Sequence, residues 1–218
     1  ACRSNKIKRL LITSTSEVYG SALYTPIDEG HPLQAQSPYS ATKIASDNLS
    51  ISFFKSFNVP LVVARPFNAY GPRQSERAVI PTIISQMIKK NEIKLGSLDT
   101  IRDFNYVLDT VDGLIKLMSK KNIEGEIINI SSGNGYKIKE IFSILKKNIN
   151  PRAYVKLDKK RVRPINSEVD KLIGCNKKIK KLTNWSSKIS LDKGLKYTCK
   201  WYVENKKFLN NDKNTYQI

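Results

Sequence analysis

The chain has few of the residues that build metal centres, disulfide frameworks and membrane spans. Its three cysteines, Cys2, Cys175 and Cys199, are odd in number and far apart, so we expect free thiols and no metal site. The only histidine, His31, precedes a proline in a polar stretch, which favours a turn residue over a ligand. No apolar run approaches the roughly 20 residues that cross a bilayer, and the first residues show no signal-peptide pattern. We therefore expect a cytoplasmic protein.

Acidic residues are scarce relative to basic ones, since 38 Lys and Arg stand against 19 Asp and Glu, for a formal net charge of +19. A chain this basic can bind nucleic acid, because lysine and arginine displace counterions from phosphates. Here the basic residues are scattered through periodic segments, and aromatic residues do not alternate with them as stacking platforms. We therefore expect a solvated basic surface that attracts anionic ligands, and we do not expect nucleic acid as a partner.

Apolar segments follow the order strand, helix, strand. Arg9 to Thr13 and Val59 to Ala64 are short apolar runs typical of buried strands, and residues 39–57 carry apolar side chains at helical spacing. This order predicts an α/β fold with a parallel sheet. The same patterns predict helices over 79–89, 110–119, 138–147 and 191–203, and strands over 93–95, 104–107 and 126–130.

Two short motifs carry possible chemistry. Tyr39-Ser-Ala-Thr-Lys43 places a phenol and an ammonium on one helical face, where the ammonium favours the phenolate that can accept a proton from a sugar hydroxyl. Thr15-Ser-Glu-Val-Tyr-Gly20 follows a strand, at the edge where open α/β sheets bind ligands. Taken singly, the first spacing is common on helices and the second motif could be a capping cluster. Together they predict a proton-transfer site, with Glu17 as a second base.

Two later segments add groups that could bind an anion. Arg65 to Gln74 ends a strand in a loop rich in proline and glycine, which can bring polar groups close to a ligand. The run from Gly96 to Val107 contains Arg102, whose planar guanidinium suits two diphosphate oxygens. Taken alone, an arginine at this position could equally be a surface residue.

The motifs resemble, from about Lys8 to Asn205, the extended short-chain dehydrogenases/reductases that act on nucleotide sugars. The residues that carry the resemblance are Thr15 to Gly20, Tyr39 to Lys43, Arg65 to Gln74, Arg102 to Asp109, Asn129 and Arg161-Val-Arg-Pro164. Thr-Ser-Glu is similar to the catalytic stretch of GDP-mannose 4,6-dehydratases. The longer runs look most like bacterial NAD-dependent 4,6-dehydratases acting on UDP-N-acetylhexosamines.

The resemblance implies a partial Rossmann-like parallel sheet, corresponding to the C-terminal half of that fold, with a small mixed α/β substrate-binding domain. Residues 1–69 and 104–131 would form the Rossmann part and carry the catalytic residues. Residues 70–103 and 132–205 would form the substrate-binding domain, and residues 206–218 a tail.

The resemblance also implies roles for four catalytic residues. Tyr39 would accept the proton of the C4 hydroxyl, while Lys43 favours its phenolate form and, with Tyr39, contacts the nicotinamide ribose of NAD. Thr15 would hydrogen-bond the C4 oxygen, and Glu17 would remove the C5 proton. Water would then leave from C6, and hydride would return to C6.

Substrate binding is implied for Ser16, Asn68, Arg102 and Arg163, the last three at the diphosphate of a nucleotide-diphosphate sugar. Some related dehydratases have an aspartate at the position of Ser16, where it serves as the acid for the departing hydroxyl. The acid is therefore unassigned here, and Glu17 or a water could serve. Alternatives are a nucleotide-sugar 4-epimerase, which needs no C5 base, a decarboxylase of the same family, and a non-catalytic remnant or assembly module.

The family's Gly-x-x-Gly-x-x-Gly run, which binds the dinucleotide pyrophosphate, does not occur among the 218 residues. We therefore expect the strand at 9–13 to lack neighbours on one side, and the isolated chain to be prone to aggregation. We also expect that it neither binds NAD measurably nor turns over substrate, which calorimetric titration with NAD would check. The resemblance implies a homodimer for the complete enzyme.

Overall fold

The structure, a computed structural model, describes residues 1–162 and 169–209 as a mixed α/β fold, which confirms the predicted class. The strands are β1 (Leu10–Thr13), β2 (Leu61–Pro66), β3 (Asn68–Tyr70), β4 (Glu92–Leu95), β5 (Ile101–Tyr106), β6 (Ile127–Ile130), β7 (Gly135–Lys137), β8 (Tyr154–Leu157) and β9 (Lys171–Leu172). The helices are α1 (Pro38–Phe57), α2 (Val79–Lys89), α3 (Val107–Ser119), α4 (Ile138–Ile149), α5 (Lys177–Thr183) and α6 (Leu191–Glu204). Short 3-10 turns span Ser16–Tyr19, Lys159–Arg161 and Lys206–Phe208.

A parallel sheet in the order β1-β2-β6 lies between helices on its two faces. Side chains alternate between the faces of a strand, so neighbouring residues of β2 enter different cores. Leu61 and Val63 pack with Ile51 and Phe54 of α1, whereas Val62 and Ala64 pack in a cluster with Leu117 of α3. Among the described residues β1 pairs with β2 alone.

The rest of the described chain forms a second layer beside this sheet. β5 pairs with β3 and β9 in parallel and with β7 antiparallel, and β4 pairs with β8 in parallel. Side chains from α2, α4 and α6 form one apolar core with β4 and β5. This layer holds β5 beside the carboxyl end of β2, since β3 follows that strand after a single residue.

The predicted boundaries hold best for the long helices. The helix predicted over 79–89 has those bounds, whereas α3 begins at Val107, before its predicted start at 110. The strand predicted over 104–107 instead occupies Ile101–Tyr106. β3, β7, β8, β9 and α5 were not predicted. The unpredicted strands have two to four residues, and such strands form by pairing with distant segments, which leaves little local pattern.

None of the helices in the described ranges is both long enough and apolar enough to cross a membrane. The division of the chain into a Rossmann part and a substrate-binding domain stays a prediction, and the β3–β5 pair joins segments on the two sides of the proposed boundaries. Arg163 and residues 210–218 of the predicted tail lie outside the described residues.

Candidate functional site

Two adjoining cavities lie beside the carboxyl ends of β1 and β2. The first, which we call the polar cleft, is lined by Ser14, Thr15, Ser16, Glu17, Tyr39, Pro66, Phe67, Asn68 and Ala69. The second, which we call the main cavity, is lined by residues that include Gln74, Gly96, Arg102 and Arg161. Glu17, Asn68 and Ala69 line both. The structure thus brings Thr15, Glu17 and Tyr39 to one cavity and Asn68 and Arg102 to the adjoining one, whereas Lys43 lines neither.

The turn Ser16–Tyr19 positions Glu17 in that common wall. Thr15 caps the turn, because its Oγ1 accepts a hydrogen bond of 3.2 Å from the backbone N–H of Glu17. Ser16 is buried and Glu17 is only half-buried, so the carboxylate remains open to both cavities. Thr15 therefore has the capping role considered as the alternative, and its side chain also lines the polar cleft.

The first turn of α1 positions Tyr39 and Lys43. Ser37 and Ser40 form a reciprocal capping box, in which each hydroxyl oxygen accepts the other residue's backbone N–H at 3.1 Å. Tyr39 lies between them, is 54% exposed and lines the polar cleft. One turn later, Lys43 Nζ donates a 2.9 Å hydrogen bond to the carbonyl oxygen of Thr13 at the end of β1. Both side chains therefore lie at the edge of the sheet from which Thr15 and Glu17 emerge.

The main cavity has cationic and unsatisfied polar groups in its walls. Arg102 faces it from β5 and donates to the carbonyl oxygen of Ile101 at 3.0 Å. The Oδ1 atom of Asn68 and the Oε1 atom of Gln74 are buried and accept no hydrogen bond within the described part of the chain. Buried polar atoms normally have a partner, so a polar ligand would satisfy them. Asn68 and Arg102 thus line one cavity.

Arg161 is a cavity residue that sequence reasoning missed. It belongs to the Arg-Val-Arg-Pro run that supported the resemblance, but Arg163 was assigned to the diphosphate, and that residue lies outside the described ranges. The Nε atom of Arg161 lies 3.3 Å from Oδ2 of Asp158, and its side chain lines the main cavity. Gly96 permits this approach, because a Cβ atom there would overlap the carbonyl oxygen of Arg161.

A buried ion pair was also missed. Arg65 was predicted to begin a ligand-binding loop, but its side chain is buried in the core of the sheet and pairs with Asp47 of α1 at 2.9 Å. The signal available in the sequence was an arginine that directly follows the apolar run of β2, since a buried charge requires a partner.

Asp103 is a second buried carboxylate with no predicted role. It follows Arg102 on β5 and therefore faces the opposite side of the strand, away from the main cavity. Its oxygens accept hydrogen bonds from Ser132, Gly133 and Gly174. Burial raises the pKa of Asp103 to about 6, and these hydrogen bonds only partly oppose that rise. The carboxylate joins three chain segments directly behind the cavity wall.

Comparisons with known proteins identify several similar chains. The sequence model of the GDP-mannose 4,6 dehydratase family matches residues 1–198. The chain is 32% identical to human dTDP-D-glucose 4,6-dehydratase, with 94% of the chain and 59% of the relative covered. It is 31% identical to a putative UDP-glucose 4-epimerase of Methanocaldococcus jannaschii, with 91% and 64% covered. The solved structure of Bacillus cereus UDP-glucuronic acid 4-epimerase with UDP-glucuronic acid and NAD gives a TM-score of 0.87 at 28% identity, with 93% and 64% covered.

The chain spans between 59% and 64% of the length of these three proteins. Identity does not separate the reaction classes, because the dehydratase and the epimerase match equally well. An Arabidopsis thaliana UDP-glucuronic acid decarboxylase 2 is also 32% identical, with 86% of the chain and 42% of the relative covered. Any choice among dehydration, epimerisation and decarboxylation must therefore come from the residues of the site.

Proposed function

Because this chain belongs to the GDP-mannose 4,6-dehydratase family, we propose that it carries the catalytic and substrate-binding residues of an NAD-dependent nucleotide-sugar 4,6-dehydratase. The observation that supports this most strongly is the common wall of the two cavities, to which Glu17 and Asn68 belong. A sugar in the polar cleft would contact Tyr39 and Glu17 together. Its diphosphate would extend into the main cavity towards Arg102.

Glu17 is the residue that favours dehydration over epimerisation. Inversion at C4 requires one group that exchanges a proton with the C4 oxygen, and the phenol of Tyr39 can supply it. Loss of water from C6 requires in addition a base for the C5 proton, which becomes acidic once C4 is a ketone. Glu17 lines the same cleft as Tyr39, so it could reach the carbon next to the one that Tyr39 serves.

Tyr39 and Lys43 fit the nicotinamide end of NAD. They lie at the carboxyl end of β1, and the carboxyl edge of a parallel sheet is where α/β folds bind dinucleotides. Bound NAD supplies an acceptor for the C4 hydride, which later returns to C6. Among the residues of this chain, we assign only the nicotinamide end, because the glycine run for the pyrophosphate does not occur in the 218 residues.

The proposed steps balance in protons and electrons. Tyr39 as phenolate takes the C4 hydroxyl proton, the Thr15 hydroxyl hydrogen-bonds the C4 oxygen, and C4 becomes a ketone as its hydride leaves. The Glu17 carboxylate takes the C5 proton, and the C6 hydroxyl leaves as water with a proton from Glu17 or from a water. Ser16 lines the same cleft and would contact the sugar. The hydride is returned to C6 and C5 takes a proton from water, while Tyr39 releases the proton that it took, which gives the 4-keto-6-deoxy sugar.

We also propose that the complete enzyme forms a homodimer through α1. Leu49, Phe53 and Phe57 are exposed apolar side chains spaced four residues apart on this helix, and the rings of Phe53 and Phe57 are in tilted contact with a centroid distance of 5.5 Å. Size-exclusion chromatography of the complete enzyme with light scattering should give the mass of a dimer. A Leu49→Asp/Phe53→Asp double variant should give a monomer, whereas an unchanged mass for that variant would contradict this assignment.

Nucleotide-sugar binding can be measured on the chain itself. We expect calorimetry with UDP-N-acetylglucosamine, dTDP-glucose and GDP-mannose to detect binding of one of them. Arg102→Ala should weaken that binding by about 10- to 100-fold, because charge-assisted hydrogen bonds contribute about 1.5–3 kcal/mol. The matched control is Arg152→Ala, which removes an exposed arginine that lines neither cavity. Equal effects of the two variants would refute the diphosphate role of Arg102.

Reaction class can be tested with the dinucleotide-binding half of a relative fused in front of this chain. Glu17→Gln should lower formation of the 4-keto-6-deoxy product by about 100-fold or more, the usual contribution of a general base. Glu124→Gln, in an ion pair on another part of the molecule, serves as the control. Full product formation by Glu17→Gln would exclude the base role, and a C4-epimerised sugar as product of the unaltered fusion would establish the epimerase instead.

A further inference from the structure

Helix α1 carries Tyr39 and Lys43, yet little apolar packing fixes its position. Of its 20 residues only Ser40 and Asp47 are fully buried, and both are polar. Its apolar contacts with the sheet come from partly buried side chains, chiefly Ile51 and Phe54 in its second half. In the half that bears the two site residues, the partly buried Ile44 packs against the cluster that includes Val18 and Tyr19, and the fully buried Ser40 and Asp47 supply polar anchors.

Asp47 is the anchor in the middle of the helix. Its Oδ2 atom accepts a hydrogen bond from Nε of Arg65 at 2.9 Å and lies 2.9 Å from Nη2 in an ion pair. The two side chains are 1% and 2% exposed. Arg65 belongs to β2, the central strand of the parallel sheet, so the pair ties the helix to the strand that has a neighbour on each side.

The third nitrogen of the Arg65 guanidinium contacts the turn that carries Glu17. This atom, Nη1, donates to the hydroxyl of Tyr19 at 3.1 Å, and that hydroxyl donates to Oδ1 of Asn129 at 2.7 Å. Tyr19 is the last residue of the turn Ser16–Tyr19. Burial raises the pKa of Tyr19 to about 12, so the hydroxyl keeps its proton and remains a donor at neutral pH.

Stability alone gives a poor account of this arrangement. Removing two charges from water costs about as much as their attraction returns, so an apolar pair of similar volume would serve the core equally well. The second carboxylate oxygen of Asp47 is buried without a hydrogen-bond partner among the described residues, which adds to the cost. Unlike an apolar pair, the charged pair forms hydrogen bonds with fixed directions, from Arg65 to Asp47 and to Tyr19.

We infer that Asp47, Arg65 and Tyr19 are positioning residues, which couple the helix bearing Tyr39 and Lys43 to the turn bearing Glu17. One guanidinium binds both elements, so the phenol on one and the carboxylate on the other keep their relative placement across the polar cleft. The chemistry that this placement would serve rests on the proposed function, but the mechanical coupling does not.

The coupling can be tested on the purified chain with Asp47→Asn and Tyr19→Phe. Asp47→Asn breaks the ion pair between Arg65 and helix α1. Tyr19→Phe removes only the hydroxyl through which Arg65 contacts the turn Ser16–Tyr19. Glu124→Gln, which breaks the 2.6 Å ion pair with Arg9, is the matched control. Hydrogen exchange follows the backbone amides of 16–20 and 38–47, and competitive acetylation compares Lys43 with Lys55 at the far end of the same helix.

Asp47→Asn should speed exchange in both segments by at least about tenfold while the amides of α2 and α4 keep their protection. It should also speed acetylation of Lys43 severalfold and leave Lys55 unchanged, because only Lys43 loses its bond to the end of β1. Tyr19→Phe should speed exchange at 16–20 and add little when combined with Asp47→Asn, since both act through Arg65. Glu124→Gln should leave both segments unchanged.

Uniformly faster exchange in every helix would show a role in stability only, and faster exchange in 38–47 without 16–20 would show that the two elements are not coupled. Either result overturns the inference. If Asp47→Asn does not fold, Tyr19→Phe decides, because it keeps the ring and removes one hydroxyl: faster exchange at 38–47 as well as at 16–20 supports the coupling, and unchanged exchange at 38–47 overturns it. Failure of every nucleotide sugar to bind would reject the proposed function and leave these exchange results standing.

Discussion

Replacement of Asp103 by asparagine should change how the stability of the chain depends on pH. One carboxylate oxygen accepts from the backbone N–H of Ser132 at 2.9 Å and from its hydroxyl at 2.6 Å. The other accepts from the backbone N–H groups of Gly133 at 2.9 Å and Gly174 at 3.2 Å. An amide would direct its own N–H₂ group at one of these pairs, so buried donors would lose their acceptor, at about 1–3 kcal/mol each.

The sign of the pH dependence follows from burial of Asp103. Burial raises its pKa from 3.8 to about 6, so between these values the folded chain holds a proton that the unfolded chain has released. The contribution of this group to the free energy of unfolding is therefore largest below about pH 4 and declines as pH rises through 6. The difference between the two pKa values corresponds to roughly 3 kcal/mol.

Urea denaturation of the chain and of Asp103→Asn from pH 4 to pH 8 measures this directly. The asparagine does not titrate, so the stability advantage of the aspartate should shrink by roughly 3 kcal/mol as pH rises across that range. Asp99→Asn is the control, because Lys139 and Lys137 lower the pKa of that exposed carboxyl. The free energy of unfolding that Asp99 adds relative to Asp99→Asn should change in the opposite direction and be lost as pH falls. A constant or growing advantage for Asp103 towards high pH would refute the assigned effect of burial.

Three further substitutions test separate features. Gly96→Ala should weaken nucleotide-sugar binding in calorimetry, because the new methyl would displace Arg161, and an unchanged dissociation constant would contradict that close approach. Ser37→Ala removes the acceptor for the backbone N–H of Ser40 and should lower the free energy of unfolding by about 1 kcal/mol in urea. Leu145→Ala empties a fully buried core position and should lower it by about 2–5 kcal/mol, so a change below 1 kcal/mol would place this residue outside a packed core.

The sequence predicts those parts of the fold that depend on local periodicity. The bounds of α2 and the parallel succession of β1, α1 and β2 follow from the spacing of apolar residues, which the chain itself specifies. By contrast, β7 and β9 have three and two residues and exist because β5 offers backbone partners to both. No window of sequence that short contains a periodic signal.

Much of the candidate site could be anticipated, because its residues follow the ends of predicted strands. Thr15 and Glu17 were expected beside Tyr39, and the three line one cleft. The pairing of Asp47 with Arg65 could not be derived, since the residues are 18 apart and belong to different elements. Only the packing of the helix on the sheet decides which carboxylate meets the buried guanidinium.

The wall that the two cavities share consists of Glu17, Asn68 and Ala69, whereas Arg161 lines the main cavity alone and Tyr39 the polar cleft alone. Under the proposed function, a substitution at Arg161 should therefore change the affinity for the nucleotide sugar before it changes proton transfer by Tyr39. Glu17 belongs to both spaces, so a substitution there should affect binding and chemistry together.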